Sequence, residues 1–497
     1  MTRTSQTHPL QIAEIAVGRN MGKIGVTFCP GKKQPSAATG AWDRDLDIDL
    51  GSIAGWGAAA VVSLIEDHEI QSLKVQGLGQ AVRVRHMDWL HLPIRDVSVP
   101  DERFEAAWVT AGESLRDRLR SGFNILIHCK GGLGRAGMIA ARLLVELDVP
   151  AEEAIARVRR ARPGAIETSG QEAFVWAIQP VPEHQPDTSI EAIEDRAVGA
   201  FWGLAMGDAV GTTLEFAARD TKPLLTNMIG GGPFRLKPGE WTDDTAMAMA
   251  LADSLASCGE LDEQDLLRRF SDWWRNGTYS CTGTCFDIGA TTAQAIGRWE
   301  QTKADNCGAT DPHSAGNGSL MRLAPVPIRF WQDRSKLRDA AARQSKTTHA
   351  APEAVDACVV YADMIADAIE GKPRSAVLAA RTGEWAGAIV GINGGSWRGK
   401  QRADINASGY VAHAMEASLW AVGRCPDFER AVLLAANLGQ DADTTAAITG
   451  QLAGALAGAA SLPKAWSDRL ALRPRIHCMA SDLFRSQIAA DRTNLNR

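Results

Sequence analysis

The alternation of apolar and polar residues changes character about one third of the way along the chain. Before residue 180, short apolar runs at residues 58–65 and 124–127 have the length of buried strands, and helical patterns such as residues 136–147 alternate with them. This order is typical of a parallel sheet covered by helices. We therefore predict an α/β fold for the first part of the chain.

Further along the chain, strand-like runs are scarce and helical patterns dominate. Ala-rich segments at residues 239–258, 350–370 and 408–422 fit packed helices. Before them, the segment QPVPEHQPD carries three prolines in nine residues, which predicts an extended connector. Thr188 and Glu191 then have the spacing of a capping box at the start of a helix. We predict an α/β domain at residues 1–180, a Pro-rich linker at 181–188 and an all-α domain at 189–497.

The charge balance and the cysteines narrow the class of protein further. The 497 residues include 53 basic and 59 acidic side chains, and the net charge of -6 argues against a nucleic-acid partner. No apolar stretch is long enough to span a membrane, and the N-terminus lacks the layout of a secretion signal. Of the nine cysteines only Cys281 and Cys285 lie close together, without a second pair for zinc, and we interpret them as packing residues. Free thiols fit a reducing compartment, so we expect a cytoplasmic protein without a membrane partner.

The segment HCKGGLGRAG, residues 128–137, places a cysteine and an arginine on either side of five residues, three of which are glycine. A buried strand before this loop and a helix after it would turn backbone N–H groups towards an anion. The same field, with Arg135 alongside, favours the thiolate form of Cys129, which is the nucleophilic form. The pattern predicts a phosphate-binding catalytic loop, and the alternative is a buried structural cysteine.

Hydrolysis of a phosphate ester also requires a proton for the leaving group. Asp96, in the turn-rich segment HLPIRDVSVPD at residues 91–101, is the candidate donor. A helix-capping or solvated carboxylate is the alternative interpretation of Asp96. Because this chemistry needs no metal or other cofactor, we expect none in the N-terminal domain.

On these motifs, residues 20–180 resemble the dual-specificity branch of the cysteine-dependent protein tyrosine phosphatases, in particular the kinase-associated phosphatases. The segments IGVTFCPG (residues 24–31) and GAIET (residues 164–168) with Gln171 also carry the resemblance. It implies that Cys129 is the nucleophile, that Arg135 binds the phosphoryl group and that Asp96 is the general acid. The residues that would contact the substrate are His128, Gly131, Gly132 and Gly134.

Ala136 departs from that family, which carries Ser or Thr directly after the arginine. In the family this hydroxyl stabilises the departing thiolate when the cysteinyl-phosphate is hydrolysed. The alanine therefore predicts that the second step of the reaction is slowed more than the first.

Two acidic segments, WTDDT at residues 241–245 and GQDADTT at residues 439–445, combine carboxylates with hydroxyl groups and contain no histidine or cysteine. Hard oxygen ligands of this kind suit Mg²⁺ or Mn²⁺ and suit zinc poorly. Either segment taken alone also fits a helix N-cap. Two segments with the same chemistry predict a site for two divalent ions, which would polarise a substrate oxygen and lower the pKa of a bound water.

On these segments, residues 192–470 resemble the ADP-ribosylglycohydrolase family. The other motifs that carry the resemblance are GLAMGDAVG (residues 203–211) with Glu215, FDIG (286–289) with Thr291 and Thr292, SAGNGSLMR (314–322), and Thr348 with His349. The resemblance implies an all-α bundle with a central cleft. It also implies two bound Mg²⁺ or Mn²⁺ ions, with Thr242, Asp243, Asp244, Asp441, Asp443 and Thr444 as the ligands.

The same resemblance places Glu215 beside the terminal ribose as a mobile gating residue. It makes Asp287 a candidate for contact with the ribose or for handling the attacking water. Both residues are therefore predicted to be catalytic.

The loop SAGNGSLMR allows close approach of the backbone to a ligand because of its glycines. Asn317, Gly318 and Ser319 would contact a phosphate-bearing ligand, and an ordinary turn is the alternative. His349 is predicted to contact ADP-ribose or, alternatively, to be a buried, hydrogen-bonded histidine. For Tyr410, stacking on adenine and ordinary packing stay open.

These patterns predict a bifunctional hydrolase that cleaves the glycosidic bond of ADP-ribosylated substrates and hydrolyses a phosphomonoester through a cysteinyl-phosphate. Its partners would be an ADP-ribosylated protein or an ADP-ribosyl small molecule, together with a phosphorylated substrate. One alternative is a single ADP-ribosyl hydrolase whose N-terminal domain only recognises phosphate. Another is a C-terminal domain that acts on a free metabolite or on modified nucleic acid.

Overall fold

The structure is a computed structural model that describes residues 2–37 and 40–495. The chain forms two compact units: the first extends to Glu183 and includes the segment Arg398–Gln401, and the second begins at His184. Residues 178–188 contain no helix or strand, in line with a Pro-rich connector. Within the described part of the chain, no helix is both long and apolar enough to cross a bilayer.

The first unit is an α/β domain. Its strands are β1 (Ala13–Ala16), β2 (Lys23–Phe28), β3 (Lys33–Gln34), β4 (Trp42–Asp43), β5 (Ala58–Ser63), β6 (Asp88–His91) and β7 (Asn124–Cys129). Its helices are α1 (Leu46–Gly55), α2 (Asp67–Ser72), α3 (Leu78–Arg83), α4 (Glu102–Arg120), α5 (Gly134–Glu146), α6 (Ala151–Ala161) and α7 (Ser169–Ala177).

Five strands form one sheet in the order β1-β2-β7-β5-β6. Strands β2, β7, β5 and β6 are parallel, and β1 is an antiparallel edge strand. Side chains of the central strand β7 alternate between two cores: Ile125 and Ile127 lie in one and Leu126 in the other. The predicted parallel sheet covered by helices is confirmed, and the C-terminal end of its central strand carries Cys129.

The second unit is helical in its described residues, as predicted. Its helices are α8 (Ile190–Gly211), α9 (Asp243–Cys258), α10 (Glu263–Asn276), α11 (Ala290–Thr302), α12 (Pro325–Phe330), α13 (Arg334–Lys346), α14 (Pro352–Glu370), α15 (Arg374–Val377), α16 (Ile389–Asn393), α17 (Val411–Arg424), α18 (Phe428–Ala436), α19 (Ala442–Ala457), α20 (Lys464–Ser467) and α21 (Arg473–Leu495).

Two helix starts differ from the sequence prediction. Helix α8 is capped by Ser189, whose hydroxyl accepts from the N–H of Ala192, so the predicted cap at Thr188 is one residue too early. Helix α9 begins at Asp243 and not at residue 239. Gly239 has a φ of 95°, a left-handed conformation that an α-helix cannot contain.

Helices α8 and α19 approach each other to backbone contact. A Cβ atom added to Gly203 would lie 2.1 Å from the carbonyl oxygen of Gly450, and one added to Gly207 would lie 2.1 Å from that of Ala446. The glycines of α8 at this contact recur every fourth residue, at Gly199, Gly203, Gly207 and Gly211. This spacing places them on one face of the helix, where the absence of side chains lets α19 lie directly against α8.

Candidate active sites

The loop between β7 and α5 surrounds the thiol of Cys129, which is buried. The backbone N–H of Gly132 donates to its Sγ atom over 3.2 Å. Gly132 has a φ of 71°. A Cβ atom there would lie 2.4 Å from the carbonyl carbon of Thr27, so only glycine fits this turn of the loop.

Arg135, in the first turn of α5, is held by groups from two other segments. Glu69 accepts from its two terminal nitrogens over 2.6 and 2.9 Å, and the carbonyl of Ile94 accepts over 3.0 Å. Burial alone would raise the pKa of Glu69, but the hydrogen bonds from Arg135 hold that pKa below its ordinary value. Glu69 belongs to no recognisable sequence motif and therefore was not predicted.

Asp96 lies beside the same guanidinium, with its Oδ1 atom 2.9 Å from Nη2 of Arg135. Its side chain is 55% exposed and so is accessible to a substrate at the mouth of the loop. The structure thus brings together Cys129, Arg135 and Asp96, the three residues predicted to carry the phosphoryl chemistry.

Side chains from outside the loop hydrogen-bond to the backbone of its glycines. Arg162 donates to the carbonyl oxygens of Gly132, over 3.1 Å, and of Gly131, over 3.4 Å. The backbone N–H of Gly134 donates to Glu167 over 2.8 Å. Arg162 and Glu167 therefore fix which way the peptide groups of the loop point, and one N–H of the predicted anion cradle already has a carboxylate partner.

The side chain of His128 is not placed for the predicted contact with a substrate. Its imidazole is fully buried, and Nε2 lies 2.6 Å from Oγ of Ser63, which also accepts from the indole N–H of Trp89. Burial lowers the pKa of His128 to about 4, so the ring is neutral. The side chain is therefore packed inside the domain, where a substrate cannot reach it.

Ala136 is fully buried in the first turn of α5, next to Arg135. Its methyl group stands where a hydroxyl is expected for efficient turnover, and it brings no hydrogen-bonding group to the loop.

In the second unit, the two acidic segments lie at the N-termini of two helices. Asp243 and Asp244 form the first turn of α9, and Asp443 lies in the first turn of α19. Together with Asp208 and Glu215, carboxylates of these segments form two groups, and within each group the carboxylate oxygen atoms lie within 4.8 Å of one another. The groups are Asp208, Asp244 and Asp443 on the one hand and Glu215, Asp441 and Asp443 on the other. Asp443 belongs to both groups, which makes it the link between them.

Asp208, from α8, orients the WTDDT segment. Its Oδ1 accepts from the N–H and the hydroxyl of Thr242 over 2.8 and 2.9 Å, and its Oδ2 accepts from the hydroxyl of Thr245 over 2.7 Å. The hydroxyl of Thr242 also lies 3.2 Å from Asp244 and 3.4 Å from Asp443. Asp208 was visible only as part of the motif GLAMGDAVG and was not predicted as a site residue.

Burial and the repulsion between neighbouring carboxylates disfavour the charged form of the acidic residues at this site. Burial raises the pKa of Asp208 and of Asp441 to about 7, and the charge of Asp443 adds to both rises. Burial and the same neighbour raise the pKa of Asp243 and Asp244 as well. No Lys or Arg among the described residues forms an ion pair with these carboxylates, and the Oδ1 atom of Asp244 is buried there without a hydrogen-bond partner. A divalent cation bound by oxygen atoms fits this arrangement, because it would supply both the missing charge and the missing partner.

A cleft of about 800 Å³ opens above the acidic groups. The predicted site residues that line it are Glu215, Asp243, Asp287, Asn317, Gly318, His349, Asp441, Asp443 and Thr444. The side-chain amide of Asn317 donates to Asp441 over 2.8 Å. Glu215 accepts from the backbone N–H groups of Ala442 and Asp443 over 2.7 and 3.1 Å, at the N-terminus of α19.

His349 presents one edge of its ring to the SAGNGSLMR loop. Nδ1 lies 2.9 Å from the hydroxyl of Thr348, which also accepts from Arg322 over 2.9 Å. Burial lowers the pKa of His349 to about 3, so the ring stays neutral. A Cβ atom on Gly318 would lie 3.1 Å from Nε2 of this ring, so glycine keeps this edge of the imidazole accessible.

Ser319 differs from its predicted surroundings. It is fully buried, and its hydroxyl lies 2.8 Å from that of Ser345, so its side chain does not face the cleft.

Tyr410 lies next to the cleft. Its hydroxyl donates to Glu353 over 2.6 Å, and both residues line a cavity of about 610 Å³ that shares Thr291, Gly316 and Gly409 with the cleft.

Comparison with known proteins assigns a family to each part of the chain. Residues 189–492 match the ADP-ribosylglycohydrolase family, and residues 44–175 match the Swiss Army Knife protein DSP-PTPase phosphatase domain. The ADP-ribosylarginine hydrolase Tri1 of Serratia proteamaculans is 43% identical over 290 residues, which cover 58% of this chain and 79% of that protein. The ADP-ribosyl-[dinitrogen reductase] glycohydrolase of Rhodospirillum rubrum is 32% identical over 296 residues, covering 57% of this chain and 92% of that protein. A solved ADP-ribosylglycohydrolase-related protein complex has a TM-score of 0.53 at 38% identity and covers 59% of this chain and 99% of its own.

Proposed function

Because the chain belongs to the ADP-ribosylglycohydrolase family and carries a DSP-PTPase phosphatase domain as well, we propose that its C-terminal domain hydrolyses the glycosidic bond between ADP-ribose and an arginine side chain. The pair of acidic groups that share Asp443 beneath a cleft carries this proposal. Two relatives more than 40% identical are named ADP-ribosylarginine hydrolases, which supports arginine as the modified residue. The N–C bond at the ribose is replaced by a bond to a water oxygen, and the guanidine leaves with a proton.

We propose that two Mg²⁺ or Mn²⁺ ions bind beside the acidic groups. The ligands would be Thr242, Asp243, Asp244, Asp441, Asp443 and Thr444, of which Asp244, Asp441 and Asp443 belong to those groups. Ions bound there supply Lewis-acid chemistry, polarising a substrate oxygen and lowering the pKa of a bound water. Asp208 and Asn317 position ligands, because they hydrogen-bond to Thr242 and Asp441 respectively.

The other side chains of the cleft act on ADP-ribose itself. Glu215 lies in the second acidic group and lines the cleft, a position from which it contacts the reacting ribose. Asp287 lines the cleft nearby, and burial raises its pKa to about 10. We assign it to contact with the ribose hydroxyls or to orientation of the water. The Nε2 edge of His349, with the backbone around Gly318, lines the cleft where it would contact the diphosphate or ribose.

This proposal predicts that the purified chain releases ADP-ribose from ADP-ribosylarginine when Mg²⁺ or Mn²⁺ is present. Prior treatment with EDTA is expected to remove the activity, since the carboxylates alone cannot polarise the substrate, and either ion is expected to restore it. Chromatography of the released ADP-ribose is the measurement, with serine-linked and nucleoside-linked ADP-ribose as comparison substrates. Activity that survives EDTA would contradict metal dependence, and release from only the other linkages would contradict the choice of arginine.

We also propose that the N-terminal domain hydrolyses phosphomonoesters. The thiolate of Cys129 would attack phosphorus while the ester P–O bond breaks, with Arg135 binding the phosphoryl oxygens and Asp96 giving its proton to the leaving oxygen. Water would then cleave the S–P bond and regenerate the thiolate. The contact of Arg135 with Asp96, at the mouth of the Cys129 loop, supports this assignment.

Replacing Ala136 by Ser is expected to speed steady-state turnover of an aryl phosphate several-fold. The introduced hydroxyl would stabilise the thiolate that leaves in the second step, while the first step changes little. Stopped-flow measurement of the phenol separates the two steps as burst and steady state. Ala140→Ser, also at a fully buried alanine of α5, is the matched control and is expected to leave the steady state unchanged. An unchanged or slower steady state in Ala136→Ser would contradict the role assigned to this position.

A second candidate function for the N-terminal domain is phosphate recognition without turnover. Ala136 favours it, because the alanine lacks the hydroxyl expected to assist the second step. In either case a protein that carries both phosphate and ADP-ribose would be a substrate suited to the two domains.

We propose a reducing compartment such as the cytoplasm, because none of the nine cysteines forms a disulfide in the described part of the chain.

A further inference from the structure

A third cavity of about 660 Å³ adjoins the cleft at Glu215 and Phe216. Glu215 and Phe216 line both this cavity and the catalytic cleft, so the two spaces are continuous at these residues. We call the cavity the flank groove. Its lining also includes Lys222, Leu224 and Ile229.

The flank groove is apolar and accessible. Phe216 is 67% exposed, Ile229 58% and Leu224 37%. Apart from Glu215, no carboxylate is found among the described residues that line it, and Lys222 is its one cation there. Three exposed apolar side chains around one groove are unusual on a surface that contacts only water.

The backbone holds Phe216 between the two spaces. Phe216 has a φ of 58°, a left-handed conformation that is strained for a bulky residue. Its N–H donates to the carbonyl of Gln440 over 2.8 Å, and the N–H of Gln440 donates to the carbonyl of Ala217 over 2.7 Å. These two hydrogen bonds offset the strain and keep the exposed ring at the entrance of the groove.

We propose that the flank groove binds the polypeptide next to the ADP-ribosylated side chain, with an apolar residue of the substrate against Leu224 and Ile229. The inference rests on the proposed function, because it takes ADP-ribose to occupy the cleft with its reacting end at Glu215. A modified side chain that leaves the cleft past Glu215 and Phe216 enters the flank groove directly. The protein would therefore select its substrates by the sequence around the modified arginine as well as by the ADP-ribose.

The test uses the full chain and two synthetic peptides that carry ADP-ribosylarginine, one with leucine and one with serine beside the modified residue. ADP-ribosylarginine as a free amino acid is the third substrate. The variants are Ile229→Asp and the milder Ile229→Ser, which is included in case the charged variant folds poorly. Val390→Asp, at a position 56% exposed on α16, is the matched control.

The wild type is expected to have a kcat/KM about tenfold higher for the leucine peptide than for the serine peptide. Both Ile229 variants are expected to lose this preference and to hydrolyse the free amino acid at the wild-type rate, whereas Val390→Asp is expected to keep both properties. A wild type without preference between the peptides, or equal losses on all three substrates in both variants, would overturn the inference. If the wild type does not hydrolyse free ADP-ribosylarginine, the proposed function itself fails, which is a separate outcome.

Discussion

Replacing Asp443 by Asn is expected to abolish release of ADP-ribose, with kcat/KM falling by on the order of a thousandfold. Asp443 is the one carboxylate common to both acidic groups, so its loss would remove a charged ligand from both proposed sites at once. The amide that replaces it is neutral and binds a hard cation more weakly than a carboxylate does. Hydrolysis of an aryl phosphate by the N-terminal domain is expected to stay unchanged, because that site lies in the other unit.

Asp468→Asn is the matched control for this substitution, since Asp468 lies in the same unit with a side chain 48% exposed and an ion pair to Lys464. It is expected to leave both activities unchanged. Titration of Mn²⁺ followed by the paramagnetic resonance of the free ion measures binding directly. Asp443→Asn is expected to lose Mn²⁺ binding together with activity. Full activity, or loss of activity with Mn²⁺ binding intact, would contradict the assignment of Asp443 as a shared ligand.

Replacing Cys129 by Ser is expected to eliminate phosphomonoester hydrolysis, again by on the order of a thousandfold or more. A serine hydroxyl is far less acidic than a thiol, so it stays protonated and is a poor nucleophile in this loop. The wild type is expected to release about one equivalent of phenol in a burst before its slower steady state, and the variant is expected to show neither phase. Release of ADP-ribose is expected to be unaffected.

Cys29→Ser provides the matched control for Cys129→Ser. Cys29 directly follows β2, which is paired with β7, and burial raises the pKa of its thiol above the ordinary value, so it stays protonated. Its replacement is expected to keep the burst. If the wild type binds inorganic phosphate but shows no burst and no turnover, the phosphate-recognition alternative is correct. Turnover that persists in Cys129→Ser would require a different nucleophile.

The sequence was sufficient to predict the arrangement of functional groups that lie close together along the chain. Cys129 and Arg135 are joined by one loop, and the acidic segments each occupy one helix N-terminus, so local spacing and the alternation of apolar residues predict their geometry. Helix starts were less accurate, because the cap depends on which hydroxyl meets a free N–H. At α8 this is Ser189 and not its neighbour Thr188.

The supporting groups could not be found in this way. Glu69 reaches Arg135 from a different helix. In the sequence, nothing distinguishes this buried glutamate from the glutamates that lie on the surface. Asp208 lies within a recognised motif, but its role follows from hydrogen bonds to Thr242 that only folding creates. For His128 and Ser319 the motif placed the backbone correctly, whereas the direction of each side chain depends on the neighbours Ser63 and Ser345.

The contact between α8 and α19 limits how far the acidic groups can move apart. Asp208 and Asp443 lie on these two helices, whose backbones touch without intervening side chains. The separation of the two carboxylates is therefore set by main-chain geometry, which mutation cannot adjust in small steps. Even an added methyl group at Gly203 or Gly207 would push the helices apart and move the two carboxylates with them. A substitution far from the carboxylates along this helix face is thus expected to act on the acidic groups as well as on packing.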